Sequence, residues 1–287
     1  MLPTSRSTAT RQRRRVTREL GLKPRVFIRM SRKNWRGWLL GAVTVGGIAA
    51  AFWFSPIPQD PRYHEFADRR TLFGTPNFWN VFSNLSFVLV GAFGLSKFSR
   101  LQPSSPRSAY VVFCVGVVFV GFGSAYYHYS PSTQALVWDR LPMTVAFMAL
   151  FSMVVRDRIS EQFGNGMLWP LVLAGVASVG YWYWSELQGR GDLRPYGVIQ
   201  FLPMLLMPLM LILCIGKGLS TPWLWGTFGT YALTKVAEHF DKVIYDTTGI
   251  VSGHSIKHVL GSLAVLWAVF AVLRLRSGGV ASSTLTN

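Results

Sequence analysis

Residues 121–139 read GFGSAYYHYSPSTQALVWD, and what lies on either side of this stretch sets the fold. An apolar run ends in it and another begins in it. Between them, Ser130-Pro131-Ser132 is turn chemistry that a continuous helix does not absorb. The stretch is therefore the joint of a helical hairpin. Ser124 and His128 are four residues apart, so on a helix they share one face, with Ser124 a turn deeper. Asp139 lies in the opening turns of the second helix. Far downstream, His254 and His258 repeat the four-residue spacing at the start of another apolar run.

Working outward, the whole chain is built from such runs. Of 287 residues, 50% are hydrophobic, 14% are charged and eleven are tryptophan. A soluble domain carries about 25% charged residues, so this composition belongs to an integral membrane protein. Apolar runs fall near 38–54, 78–97, 108–128, 137–155, 168–185, 196–215, 223–240 and 256–274. Each is close to the roughly 20 residues a helix needs to span a bilayer. The connections are short and rich in Pro, Gly, Ser and charge, which leaves no soluble domain. The fold class expected is all-α, a polytopic membrane helix bundle. It comprises a seven-helix core over 63–275 and one extra N-terminal transmembrane anchor at 38–54. Ser55-Pro56-Ile57-Pro58 follows that anchor where a cleavable signal would carry small residues, so it reads as retained.

The net charge of +17 is mostly a tail. Residues 1–36 hold twelve Arg or Lys against one acid, Glu19, which accounts for +11 of it. No nucleic-acid-binding motif accompanies the charge, so nucleic acid is not an expected partner. Residues 1–37 read as a basic, disordered cytoplasmic tail touching anionic lipid head groups; an organellar transit peptide shares that composition. Residues 276–287 form a short C-terminal tail. Cys114 and Cys214 both sit in apolar runs and provide neither a disulfide framework nor a cysteine zinc site.

Short-loop Lys/Arg bias orients the bundle. Lys97 to Arg107, Arg156/Arg158, Lys217 and Arg274/Arg276 mark the inside, whereas Arg62, Arg69, Arg70, Arg190 and Arg194 are mixed with acids. Both termini are then cytoplasmic. His128, Asp139 and His254 fall at the outer ends of their helices, facing a periplasm or organelle lumen.

Three imidazoles, a carboxylate and a hydroxyl at helix mouths suit a metal hydrolase. Zinc takes imidazole nitrogen, and a catalytic site keeps one of four positions for water, so His128, His254 and His258 suffice as ligands. A lone histidine at a helix end is usually interfacial; an i, i+4 pair facing a third is harder to explain that way. Asp139 is either a charge favourable to a helix N-terminus or the group that moves a proton from water to a leaving amine. Ser124 either satisfies an upstream carbonyl or steadies water or a developing oxyanion. Lys235 and Glu238, three apart, read as a pair; alternatively Glu238 or Asp241 supports a ligating imidazole from behind. His64 and His239 lack partners at ligand spacing and stay outside the site.

The pattern Ser124-x3-His128-x10-Asp139 with His254-x3-His258 resembles the alkaline ceramidase family within the CREST superfamily of seven-helix membrane hydrolases. PNFWNVFSNLSFVLVG at 76–91, WDRLPMTVAFM at 138–148 and SGHSIKHVLGSLA at 252–264 carry the resemblance further. It implies a zinc-dependent amidase that cleaves ceramide, a membrane lipid, to a sphingoid base and a fatty acid. His128, His254 and His258 would hold Zn2+, with Asp139 in proton transfer and Ser124 polarising water. Eukaryotic relatives also bind calcium through acids near the first core helix. Here Asn77 stands at that helix start, and Glu65 and Asp68 are the acids left to substitute. A receptor or lipid-binding protein built on the same bundle is the alternative, but the outer loops offer little room for a partner. A transporter would call for inverted repeats and interrupted helices, and no clear repeat is present.

Overall fold

The structure, a computed structural model, describes residues 35–275. The expected basic tail up to residue 34 and the C-terminal tail 276–287 lie outside the described residues. The chain divides into two compact units, Met1–Trp38 and Leu39–Asn287. Of the first, only the opening turn of helix α1 (Trp35–Trp53) is described, with the Arg36 guanidinium 5.8 Å from the Trp35 ring centroid.

The second unit continues α1 and then runs through α2 (Phe78–Phe82), α3 (Leu85–Ser96), α4 (Arg107–Tyr129), α5 (Thr133–Arg158) and α6 (Glu161–Leu187). It closes with α7 (Arg194–Leu213), α8 (Thr221–His239), the short α9 (Asp241–Thr248) and α10 (Gly253–Leu273). There is no strand among the described residues, and the protein is an all-α polytopic bundle. Phe119, Phe122, Trp169, Leu173 and Ile212 are all more than half exposed. Water would penalise such a surface, whereas lipid chains cover it at no cost.

Seven of the described helical stretches are long and apolar enough to cross a membrane, where eight runs were expected. The shortfall is α8. At 19 residues it is long enough, but its threonines, Lys235 and Glu238 make it less apolar than the others. Its polar positions have a use: Thr227, Thr234, Lys235 and Glu238 line an internal cavity. A helix that faces a polar cavity does not need to be apolar all round.

The run 78–97 is also not one smooth helix. It breaks at Ser83-Asn84, between α2 and α3. The Asn84 amide donates to Asn80 O at 2.7 Å, and Ser86 Oγ donates to Ser83 O at 2.7 Å. Side chains that take helical carbonyls in this way loosen and bend a helix.

Caps define the other joints. Ser132, the last residue of the predicted turn, accepts from Ala135 N at 3.1 Å and starts α5. Ser252 does the same for α10, accepting from Ser255 N at 3.1 Å. Such a cap contributes about 1 kcal/mol. The main pairings are α4 with α5, α5 with α6, and α8 with α10; Tyr110, Phe113, Met148, Met153, Met207 and Val269 are among the residues buried between helices.

Candidate active site

His128 stands in the last turn of α4, His254 in the first turn of α10, and His258 one turn further along α10. All three are buried. Their ring centroids are 4.8 to 4.9 Å apart pairwise, and His128 Nε2 lies 3.3 Å from His254 Nε2. One nitrogen from each lies within 4.8 Å of the others, so the group can hold a metal ion.

Several contacts hold the imidazoles there. Asp241 Oδ1 accepts from the His254 backbone N–H at 2.7 Å, and Asp241 Oδ2 accepts from Ala67 N at 3.2 Å, which pins the start of α10 to the outer loop. Gly253 permits the approach, because a Cβ there would meet Asp241 Cα at 2.8 Å and overlap the Ala237 carbonyl. Phe66, from the loop before α2, packs its ring 4.7 Å from His128 and 4.9 Å from His254. Ser83, at the break between α2 and α3, sits 2.7 Å from His258 Nδ1. With Nδ1 protonated and donating to Ser83, His258 Nε2 keeps its lone pair free for a metal.

Ser124 and Asp139 come from opposite sides of the hairpin. Gly123 sets how close they come: a Cβ at this position would collide with the Trp138 carbonyl. The backbones of α4 and α5 therefore touch at that point, and Ser124 and Asp139 face the same cavity. Ser124, His128, Asp139, His254 and His258 all line one cavity of about 380 Å3. Phe87, Val117, Leu150, Met204 and Val265 extend its apolar walls between the helices.

The remaining polar candidates separate. Glu238 takes Lys235 at 2.9 Å and also Lys257 at 2.7 Å, so it serves lysines and not an imidazole. Asp241 acts through the His254 backbone, not its ring. His64 bridges Tyr127 Oη at 2.9 Å and Thr133 Oγ1 at 3.2 Å, fastening the outer loop to the hairpin. Burial, and then the Arg140 charge, push its imidazole below the ordinary histidine value. His239 touches only Phe240 among the aromatic contacts.

Of the two acids considered for calcium, Asp68 already has a partner. Asp68 is engaged through both oxygens by Arg70, at 2.9 and 2.7 Å. Burial raises the Asp68 carboxyl, but hydrogen bonds and charge from Arg70 outweigh it and hold the group below its usual value. Asn77 donates to His128 O at 2.9 Å, tying α2 to the end of α4. Among the described residues, the three histidines are the group of possible ligands that comes together.

Residue order did not single out Ser83, Phe66 or Arg140. Ser83 had a signal: Asn80, Ser83 and Asn84 fall at helical spacing within an apolar run, where polar groups need a reason. Phe66 had none, because a loop phenylalanine is unremarkable until its ring is found on two imidazoles.

With this geometry established, comparison with known proteins is decisive for the family. The family model described as Ceramidase matches residues 75–283, nearly all of the chain beyond the first helix and outer loop. The chain belongs to the ceramidase family. An alkaline ceramidase of Drosophila melanogaster is 26% identical over 114 residues. That match spans 38% of this chain and 40% of the Drosophila protein.

Proposed function

We propose that the protein is an intramembrane, zinc-dependent amidase. It hydrolyses the amide of ceramide or a related N-acyl lipid to a sphingoid base and a fatty acid. The observation that carries this reading is the 3.3 Å separation of His128 Nε2 and His254 Nε2. Two imidazole nitrogens at about 2.0–2.1 Å from one tetrahedral zinc stand roughly 3.3 Å apart. With His258 as the third ligand, the donor set suits an open catalytic zinc site. Bound zinc supplies Lewis acidity and makes water nucleophilic near neutral pH.

The side chains of this protein supply the rest. Asp139 accepts a proton from the attacking water and passes it to the leaving nitrogen, so that the C–N bond breaks and a neutral amine departs. Ser124 donates its hydroxyl proton to the oxygen on which negative charge develops. The apolar walls seat the lipid chains and exclude bulk water, which strengthens each polar interaction inside. In this topology the site faces the non-cytoplasmic side.

Lipid analysis of cells expressing the protein or its His254→Ala form tests the reading. An N-acyl lipid should fall and a long-chain base should rise only with the unaltered protein. Indistinguishable lipid profiles at matched expression would overturn it.

A further inference from the structure

Arg140 is not used by the chemistry proposed above, and its surroundings are unusual for a cation inside a membrane bundle. It lies seven residues into α5, about 10 Å along the helix from Thr133. Its residue is only 5% exposed. Nη2 donates to Gln59 Oε1 at 2.7 Å, while Nη1 is buried without a partner among the described residues. No carboxylate there lies within ion-pair distance of it, although eight other basic side chains have one.

Aromatic rings hold the guanidinium instead. Its centre is 4.1 Å from the Trp182 ring centroid, 4.7 Å from Tyr196 and 5.6 Å from Tyr63. Glu186 is spent on the frame, accepting from Trp182 Nε1 at 3.0 Å and Gln59 N at 2.7 Å. The fork is thus fixed in place with no carboxylate paired to it among the described residues, the Asp139 carboxylate of the same cavity lying beyond ion-pair distance. It lines the same cavity as the histidines, and so does Tyr231, whose buried hydroxyl also has no partner. Lys235 and Lys257, the other cavity cations, share the single carboxylate of Glu238. Cations outnumber carboxylates in this cavity even before a metal is counted. A buried, pre-oriented guanidinium is costly to maintain unless an anion completes it.

We propose that Arg140 and Tyr231 form a carboxylate-binding subsite, so that the preferred substrates are amide lipids whose amine part carries a carboxylate, as in an N-acyl amino acid. The proposal rests on the amidase reading for where the scissile bond lies. Arg140 and Asp139 line the same cavity, so the carboxylate would be gripped within the chamber where the leaving amine is protonated. Arginine suits the task because its planar fork matches a carboxylate and its charge is permanent.

The test uses two lipids that differ only in this group, N-palmitoylglycine and N-palmitoylethanolamine. Binding of each, radiolabelled, is measured to the full chain carrying Asp139→Asn in lipid nanodiscs, a readout independent of turnover. N-palmitoylglycine should bind at least tenfold more tightly, the scale of one charge-assisted pair. Adding Arg140→Gln should bring the two affinities to within about twofold, and Tyr231→Phe should narrow the gap in part. Should Arg140→Gln fail to fold, Arg140→Lys, which keeps the charge but not the fork, should still shrink the preference. Equal binding of both lipids, or a preference that survives these substitutions, overturns the proposal. Turnover of the same lipids by the unaltered protein is scored separately. A carboxylate preference with no hydrolysis of any amide lipid would sink the amidase reading and leave the subsite standing.

Discussion

The Ser83 hydroxyl stands 2.7 Å from Nδ1 of His258, across 175 positions of sequence. It comes from the break in the first core span, so the irregularity of that span and the orientation of an imidazole are one feature. A partner on the far nitrogen fixes which nitrogen faces a metal and how the ring is turned. Ser83→Ala should therefore keep the fold and weaken metal affinity by about 10–100-fold, the usual effect of losing such a partner. Competition with a metal chelator measures it. Unchanged affinity would leave Ser83 as a helix-bending residue only.

Replacing His128, His254 or His258 by Ala should remove most bound zinc and abolish hydrolysis, because three protein ligands are the minimum for the proposed centre. Metal content of the purified single variants decides the point. Full zinc occupancy in His254→Ala would refute the ligand assignment.

Asp139→Asn separates catalysis from metal binding. It should retain zinc and lose hydrolysis by roughly 10²–10⁴-fold, the range for a positioned acid–base group. Ser124→Ala should also retain the metal, with a loss on the order of 10²–10³-fold. Zinc leaving together with activity in Asp139→Asn would make the carboxylate a ligand or a support instead.

Gly123→Ala probes the contact between α4 and α5. Its Cβ would overlap the Trp138 carbonyl, and the helices must separate to admit it. Overpacking of this kind costs about 1–3 kcal/mol. Moving Ser124 from Asp139 by even about 1 Å should lower activity on the order of 100-fold. Gly229→Ala is the control, since no atom lies within 4 Å of a Cβ there. Thermal unfolding and turnover of the pair distinguish close approach from a general intolerance of alanine. Equal behaviour of the two variants would mean that the hairpin can open without loss.

Topology is tested by a cysteine at Ser132, the exposed cap of α5, in a background lacking Cys114 and Cys214. A membrane-impermeant thiol reagent should label it on intact cells if the site faces outward. Labelling only after the membrane is opened would place the site on the cytoplasmic face.

Residue order alone determined the class of this protein. Apolar run length and scarcity of charge are local properties, and they sufficed for an all-α membrane bundle with a hairpin joint at Ser130-Pro131-Ser132. Four-residue spacing likewise put Ser124 with His128, and His254 with His258, on shared faces, because helical periodicity needs no tertiary information. The tertiary structure decided what those faces meet. His128 and His254 are 126 positions apart, and only the assembled bundle, in which α3 packs against both α4 and α10, sets their nitrogens at 3.3 Å. Residue order counted the α8 run as a span like the others, and only the assembled bundle shows its polar side lining the cavity. Asp68, an acid of the right type in the right loop, turned out to be occupied by Arg70 two residues away. Residue order gave Arg140 no role, and its place among three rings is visible only once α5, α6, α7 and the outer loop are assembled. Charge and periodicity are carried by the chain itself, whereas a partner's presence or absence is a property of packing.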